Sequence, residues 1–125
     1  MKLVAIIFVV FALTIAPSYQ DTVDPNAACG QEGVYYAQGC SGLVAALLRS
    51  DWKHTSAYRR GAAIGSNGRY RATPGTIVGF SGHVAVYIGH ADDTCNCMFI
   101  DVPGPKKRAR CLQSYGSQTV YKYYY

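Results

Sequence analysis

The chain has 125 residues, of which 50% are hydrophobic and 15% charged, with a formal net charge of +5. That is enough for one domain with a modest core, and no long polar tract, charge block or internal repeat leaves room for a second. Mild basicity suits a meeting with anionic bacterial envelopes, but no nucleic-acid motif accompanies the Arg and Lys clusters, so no nucleic-acid partner is expected.

Met1-Lys2, a nearly unbroken apolar run from Leu3 to Ala16 and then Pro17-Ser18-Tyr19-Gln20 follow the order of a secretory signal peptide. The run is too short and too abruptly ended for a membrane anchor. Residues 1–20 are read as a leader cleaved between Ala16 and Gln20, and residues 21–125 as one secreted, extracellular domain, expected to be a monomer. Loss of Lys2 with the leader lowers the charge from +5 to +4.

Residues 21–34 are polar and turn-rich, with Pro25, Asn26, Gly30 and Gly33, and read as a loop tethered through Cys29. Tyr35-Tyr36 then lead into Gly39-Cys40-Ser41-Gly42-Leu43-Val44-Ala45-Ala46-Leu47-Leu48. Leu43, Val44, Leu47 and Leu48 recur at the spacing of a buried helical face, so this is a core helix with a cysteine in its first turn. Unpaired N–H groups and the positive dipole end favour a thiolate there. Moving a thiol from about 8.5 to about 6 takes roughly 3.4 kcal/mol of differential interaction and makes it mostly nucleophile at neutral pH. The plainer alternative is a small buried core cysteine.

The cysteine count bears on that choice. There are five, Cys29, Cys40, Cys95, Cys97 and Cys111, and in an oxidising compartment an odd one is a reactive thiol or an intermolecular bridge. Cys40 is the natural odd one out. The other four allow three pairings; a Cys95–Cys97 bridge would close a strained ring, and the preferred set is Cys29–Cys95 with Cys97–Cys111.

The segment from Ser50 to Arg71 is basic and aromatic without a clean period and reads as a short helix or turn with a loop, rimming a groove. Its Trp52, Tyr58 and Arg60, with Ser41 beside the cysteine, are the candidate substrate-binding residues. Beyond the Pro74-Gly75 turn the pattern changes to strand: Thr76 to Phe80, then His83-Val84-Ala85-Val86-Tyr87-Ile88-Gly89, with Val84, Val86 and Ile88 on one face and His83, Ala85 and Tyr87 on the other. Strands are also expected at Cys97 to Asp101, around Cys111 and from Thr119 to Tyr125. The order of a helix followed by an antiparallel meander predicts an α+β fold, a nucleophile helix on a five-stranded antiparallel sheet or half-barrel.

Cys-Ser-Gly-Leu-Val on a helix start, then Pro-Gly-Thr-Ile-Val-Gly-Phe, then Gly-His-Val-Ala-Val-Tyr-Ile-Gly, closely resembles the NlpC-type cell-wall peptidases of the papain-like superfamily. In its short form the chain is also similar to the small secreted bacteriolytic proteins of mites and ticks, including the domesticated amidase effectors, where a Trp-or-Tyr-Arg-x-Gly stretch corresponds to Tyr58-Arg59-Arg60-Gly61. The resemblance covers residues 35 to about 104. It implies a papain-like NlpC fold, a catalytic domain over 21–125, a Cys40–His83 pair, an orienting carboxylate at Asp101, and hydrolysis of amide bonds in peptidoglycan stem peptides without a cofactor. The family usually has an acidic residue just before the nucleophile, where this chain has Gly39.

Tyr36, four residues ahead of Cys40, is the candidate second oxyanion donor beside the Cys40 N–H. His54 and His90 read as surface residues. A zinc site built from His83 or His90 with Cys95 and Cys97 is disfavoured, because secreted cysteines pair more often than they ligate. The alternative function is a non-enzymatic cationic antibacterial or wall-binding protein acting through Arg59, Arg60, Lys106, Lys107, Arg108 and Arg110.

Overall fold

The computed structural model describes residues 20–91 and 95–125; the leader read over residues 1–20 lies, apart from Gln20, outside them. Helix α1, Pro25–Cys29, is started by Asp24, whose carboxylate accepts from the Asn26 N–H, with Pro25 where no amide proton is needed. Strand β1, Tyr35–Tyr36, precedes helix α2, Gly39–Leu48, which ends on Arg49 in the left-handed region. A 3-10 turn at Thr55–Ala57 leads into β2, Arg59–Ser66, and β3, Arg69–Tyr70. The remaining strands are β4 (Ile77–Phe80), β5 (His83–Tyr87), β6 (Phe99–Asp101), β7 (Lys107–Arg108), β8 (Arg110–Leu112) and β9 (Val120–Tyr124).

Seven strands form one antiparallel sheet in the order β3-β2-β9-β4-β5-β6-β8, curled as a half-barrel, while β1 and β7 pair separately. The last strand of the chain is inserted between β2 and β4, so the C-terminus closes the middle of the sheet. This corrects the α+β, NlpC-type expectation of a nucleophile helix on five strands: the described residues are mostly β, with only two short α-helices among them. The main reason is β2 and β3. Arg59–Ser66 carries two register shifts against β9, between Arg60 and Ala63 and between Ala63 and Gly65, and such bulges erase the two-residue alternation by which a strand is recognised.

The sheet is buried on both faces. Leu43 and Val44 of α2 pack with Val84, Val86, Ile88 and Ile100 on one side. On the other, Val78, Ala85, Tyr87, Phe99 and Val120 form a second cluster beneath Tyr70, Phe80 and Tyr115. Strand β5 alternates between the two, as its sequence requires. Cys29 is bonded to Cys95 and Cys97 to Cys111, leaving Cys40 as the free thiol. Two such bridges, worth about 2–4 kcal/mol each, suit a domain with a small core and an oxidising compartment. Among the described residues no helix is long and apolar enough to cross a membrane.

Candidate active site

Cys40 is the second residue of α2 and only 8% exposed. The turn that presents it depends on Gly39, which sits at φ +70° with its backbone against the Gly104–Pro105 loop; a Cβ there would lie 2.9 Å from the Gly104 carbonyl carbon. Only glycine combines that dihedral with that approach. Glycine at position 39 thus has a steric reason.

His83 opens β5 immediately after Gly82. Asp101 ends β6 one step beyond the Val86–Ile100 pair, so it faces the same side as Ala85 and His83, and the small Ala85 leaves the space between them open. The His83 Nε2–H donates to Asp101 Oδ2 at 2.7 Å, with the Tyr115 hydroxyl oxygen 3.2 Å away. Tyr115 in turn donates its own proton to Asp101 Oδ2. Arg110, the register partner of Asp101 on β8, donates from Nε to Oδ1 at 2.8 Å. Asp101 has no exposed surface, and these three donors satisfy its charge. Phe80 and Phe99 pack around Tyr115 at ring-centroid distances of 5.1 and 4.8 Å and hold it in place. With Nε2 committed, Nδ1 is the ring nitrogen left for Cys40, whose thiol is lowered by the neighbouring His83.

The electrostatics follow from this geometry. Burial pushes the Cys40 thiol up, but His83 and the backbone N–H groups of Val84 and Ser41 outweigh it, and the net shift is downward. Burial pulls His83 down, yet its bonds to Asp101 and Cys40 prevail and raise it to about 9. Asp101 would be raised by burial, and the His83, Arg110 and Tyr115 donors bring it below its ordinary value. A lowered thiol against a raised imidazole is the direction that favours thiolate and imidazolium over the neutral pair.

A cavity of about 330 Å³ opens over the pair, with Cys40, Ser41, Trp52, His83, Gly104 and Gln38 in its walls. Ser41 is buried and accepts from the Trp52 indole N–H at 2.9 Å, so it braces Trp52, 45% exposed, at the cavity mouth. Tyr58 and Arg60 line a second cavity instead, of about 350 Å³, which shares His54, Thr55 and Gly82 with the first. Tyr36 joins neither: its hydroxyl donates to Gln31 Oε1. The structure thus places Tyr36 away from the oxyanion position expected for it. Gln38, two residues ahead of the nucleophile, lines the first cavity and makes no side-chain capping bond.

Gln38, Arg110 and Tyr115 escaped the sequence reading. Arg110 had a signal, since antiparallel pairing of the Cys97 and Cys111 strands sets it opposite Asp101. Tyr115 had none, because its place depends on β9 crossing to the middle of the sheet. Among the described residues, the one cluster with metal-ligand geometry is Glu32, Cys97 and Cys111, whose two sulfurs are bonded to each other. Comparison with family models, with curated proteins and with solved structures returns no match.

Proposed function

We infer that the protein is a secreted, monomeric cysteine peptidase that hydrolyses amide bonds in peptidoglycan stem peptides and so weakens bacterial walls. The observation that carries the reading is the free thiol of Cys40 paired with a histidine that is itself held by a buried, fully satisfied carboxylate. The thiolate attacks the amide carbonyl, and the oxyanion is held by the Cys40 N–H and the Gln38 amide. His83 then gives its Nδ1 proton to the departing amine, leaving a thioester on Cys40. Water loses a proton to His83 and attacks the thioester; the carboxylic acid leaves and the thiolate–imidazolium pair is restored. Asp101 stays ionised throughout and fixes the ring.

The wall substrate is supported by the resemblance of the Cys40 and His83 motifs to cell-wall peptidases, by the basic net charge of +5 and by two disulfides suited to secretion. The test is digestion of purified peptidoglycan by the mature protein and by Cys40→Ala, with fragments read by mass spectrometry. New amine ends in the stem peptides, absent with the variant, are the expected result; a wall left intact by both proteins would refute the reading.

A second reading rests on a separate surface. Lys107 and Arg108 of β7 lie exposed beside Tyr35, itself 51% exposed, a combination suited to anionic envelopes. A cationic binder of that kind kills equally well as Cys40→Ala and loses potency as salt rises.

A further inference from the structure

The second cavity has a composition of its own. Tyr58 is 6% exposed, and its hydroxyl has no hydrogen-bond partner among the described residues. Leaving a buried hydroxyl unpaired is costly, so such atoms mark places where something else completes the bond. Arg60 stands in the same wall, its guanidinium 4.5 Å from the Tyr121 ring centroid and paired with no carboxylate among the described residues. His54 accepts the Ser56 N–H at Nδ1, so its neutral ring carries the proton on Nε2. Ser56 and Ser81 add hydroxyls, and no acidic residue lines the cavity. The walls offer several hydroxyl and ring donors and the single positive charge of Arg60.

The cavity is also placed to reach the chemistry. Tyr58 packs in the same core cluster as Cys40, and the two cavities adjoin, with His54, Thr55 and Gly82 in the walls of both. We propose that this second cavity is a carboxylate subsite: Tyr58 and Arg60 bind a free carboxylate that the substrate carries within a residue of the scissile amide. This rests on the amidase reading for the identity of the substrate and on Tyr58 and Arg60 for the recognition. Arg60 supplies the charge, and the Tyr58 hydroxyl gains the acceptor that the fold does not give it. Stem peptides with a free α-carboxylate on the D-glutamate are then preferred over those in which it is amidated.

The experiment measures binding by calorimetry to folded Cys40→Ala protein, so that turnover plays no part. The probes are N-acetyl-L-alanyl-D-glutamate and N-acetyl-L-alanyl-D-isoglutamine, which differ in the α-carboxylate alone. The acid form is expected to bind about tenfold or more tightly than the amide, the range of a charge-assisted hydrogen bond. Adding Tyr58→Phe or Arg60→Gln should shrink the preference below about twofold, and Arg60→Lys should keep part of it. Tyr58→Phe removes an atom that the fold does not use, so its melting curve should match that of the parent. Equal binding of the two probes, binding of neither, or a preference that survives both substitutions overturns the subsite. Hydrolysis separates this from the parent reading: wild-type protein that binds the acid selectively but cuts no wall sinks the amidase and keeps the subsite, while equal cutting of acid and amide peptides does the reverse.

Discussion

Two tyrosines flank the catalytic pair, Tyr58 buried and Tyr115 partly buried, and they live in opposite circumstances. Tyr115 donates to Asp101, lies within reach of His83 and is clamped by Phe80 and Phe99. Tyr58 is the more deeply buried of the two, yet its hydroxyl bonds to nothing among the described residues. Burial raises both hydroxyls far above the ordinary tyrosine value, Tyr115 further because the Asp101 charge sits beside it. The difference separates two kinds of polar burial. Behind His83 every group is satisfied, which fixes geometry; beneath Arg60 a group is left open, which makes room for a ligand.

The strongest way to break the saturated side is to remove what it serves. Cys40→Ala should lower turnover by about 10⁴-fold or more while the melting temperature stays within about 2 °C, measured on stem peptides and by calorimetry. Asp101→Asn should cut kcat/KM by roughly 10²–10⁴-fold, because a carboxamide cannot hold the imidazolium. It should also cost about 3–5 kcal/mol in stability, since Arg110 and His83 lose their buried partner. Its pH profile is equally diagnostic: without Asp101 the alkaline limb, set in the native protein by His83 at about 9, should move to lower pH.

Gly39→Ala comes next. The methyl group meets the Gly104–Pro105 backbone at a positive φ, so about 1–3 kcal/mol of stability should be lost, together with activity as the nucleophile turn shifts. The tyrosines themselves sharpen the comparison. Tyr115→Phe should slow kcat several-fold and lower the melting temperature, as Asp101 loses a donor, whereas Tyr58→Phe should leave stability unchanged or raise it by about 0.5–1 kcal/mol. Similar destabilisation by both substitutions would remove the distinction. The smallest effect is on stability against pH. His83 is raised on folding, so its contribution is complete below its unfolded value near 6.5 and is lost as the pH climbs through about 9.

The parts of this site that were legible in the sequence are those set by local chemistry. Cys40 on a helix start, His83 at the head of an alternating strand and Cys40 as the odd thiol follow from short-range pattern, while Asp101 as the orienting group came from the family resemblance. Long-range placement was not legible. The bulged β2 hid its strand character behind Arg-Arg-Gly-Ala-Ala, and the Asn67-Gly68 turn that joins it to β3 was the one local sign of a hairpin. Tyr36 looked suited to an oxyanion role from its spacing alone, and only the fold shows its hydroxyl given to Gln31 while Gln38 faces the cavity.

Whether Cys40 and His83 form an ion pair is read most directly from the pH dependence of Cys40 alkylation by iodoacetamide, since the other four cysteines are bonded. The rate should stay high well below the ordinary thiol range and drop toward that of a free thiol when His83 is replaced by Asn. A rate that titrates like an ordinary thiol in the native protein, unchanged by His83→Asn, would contradict the ion pair.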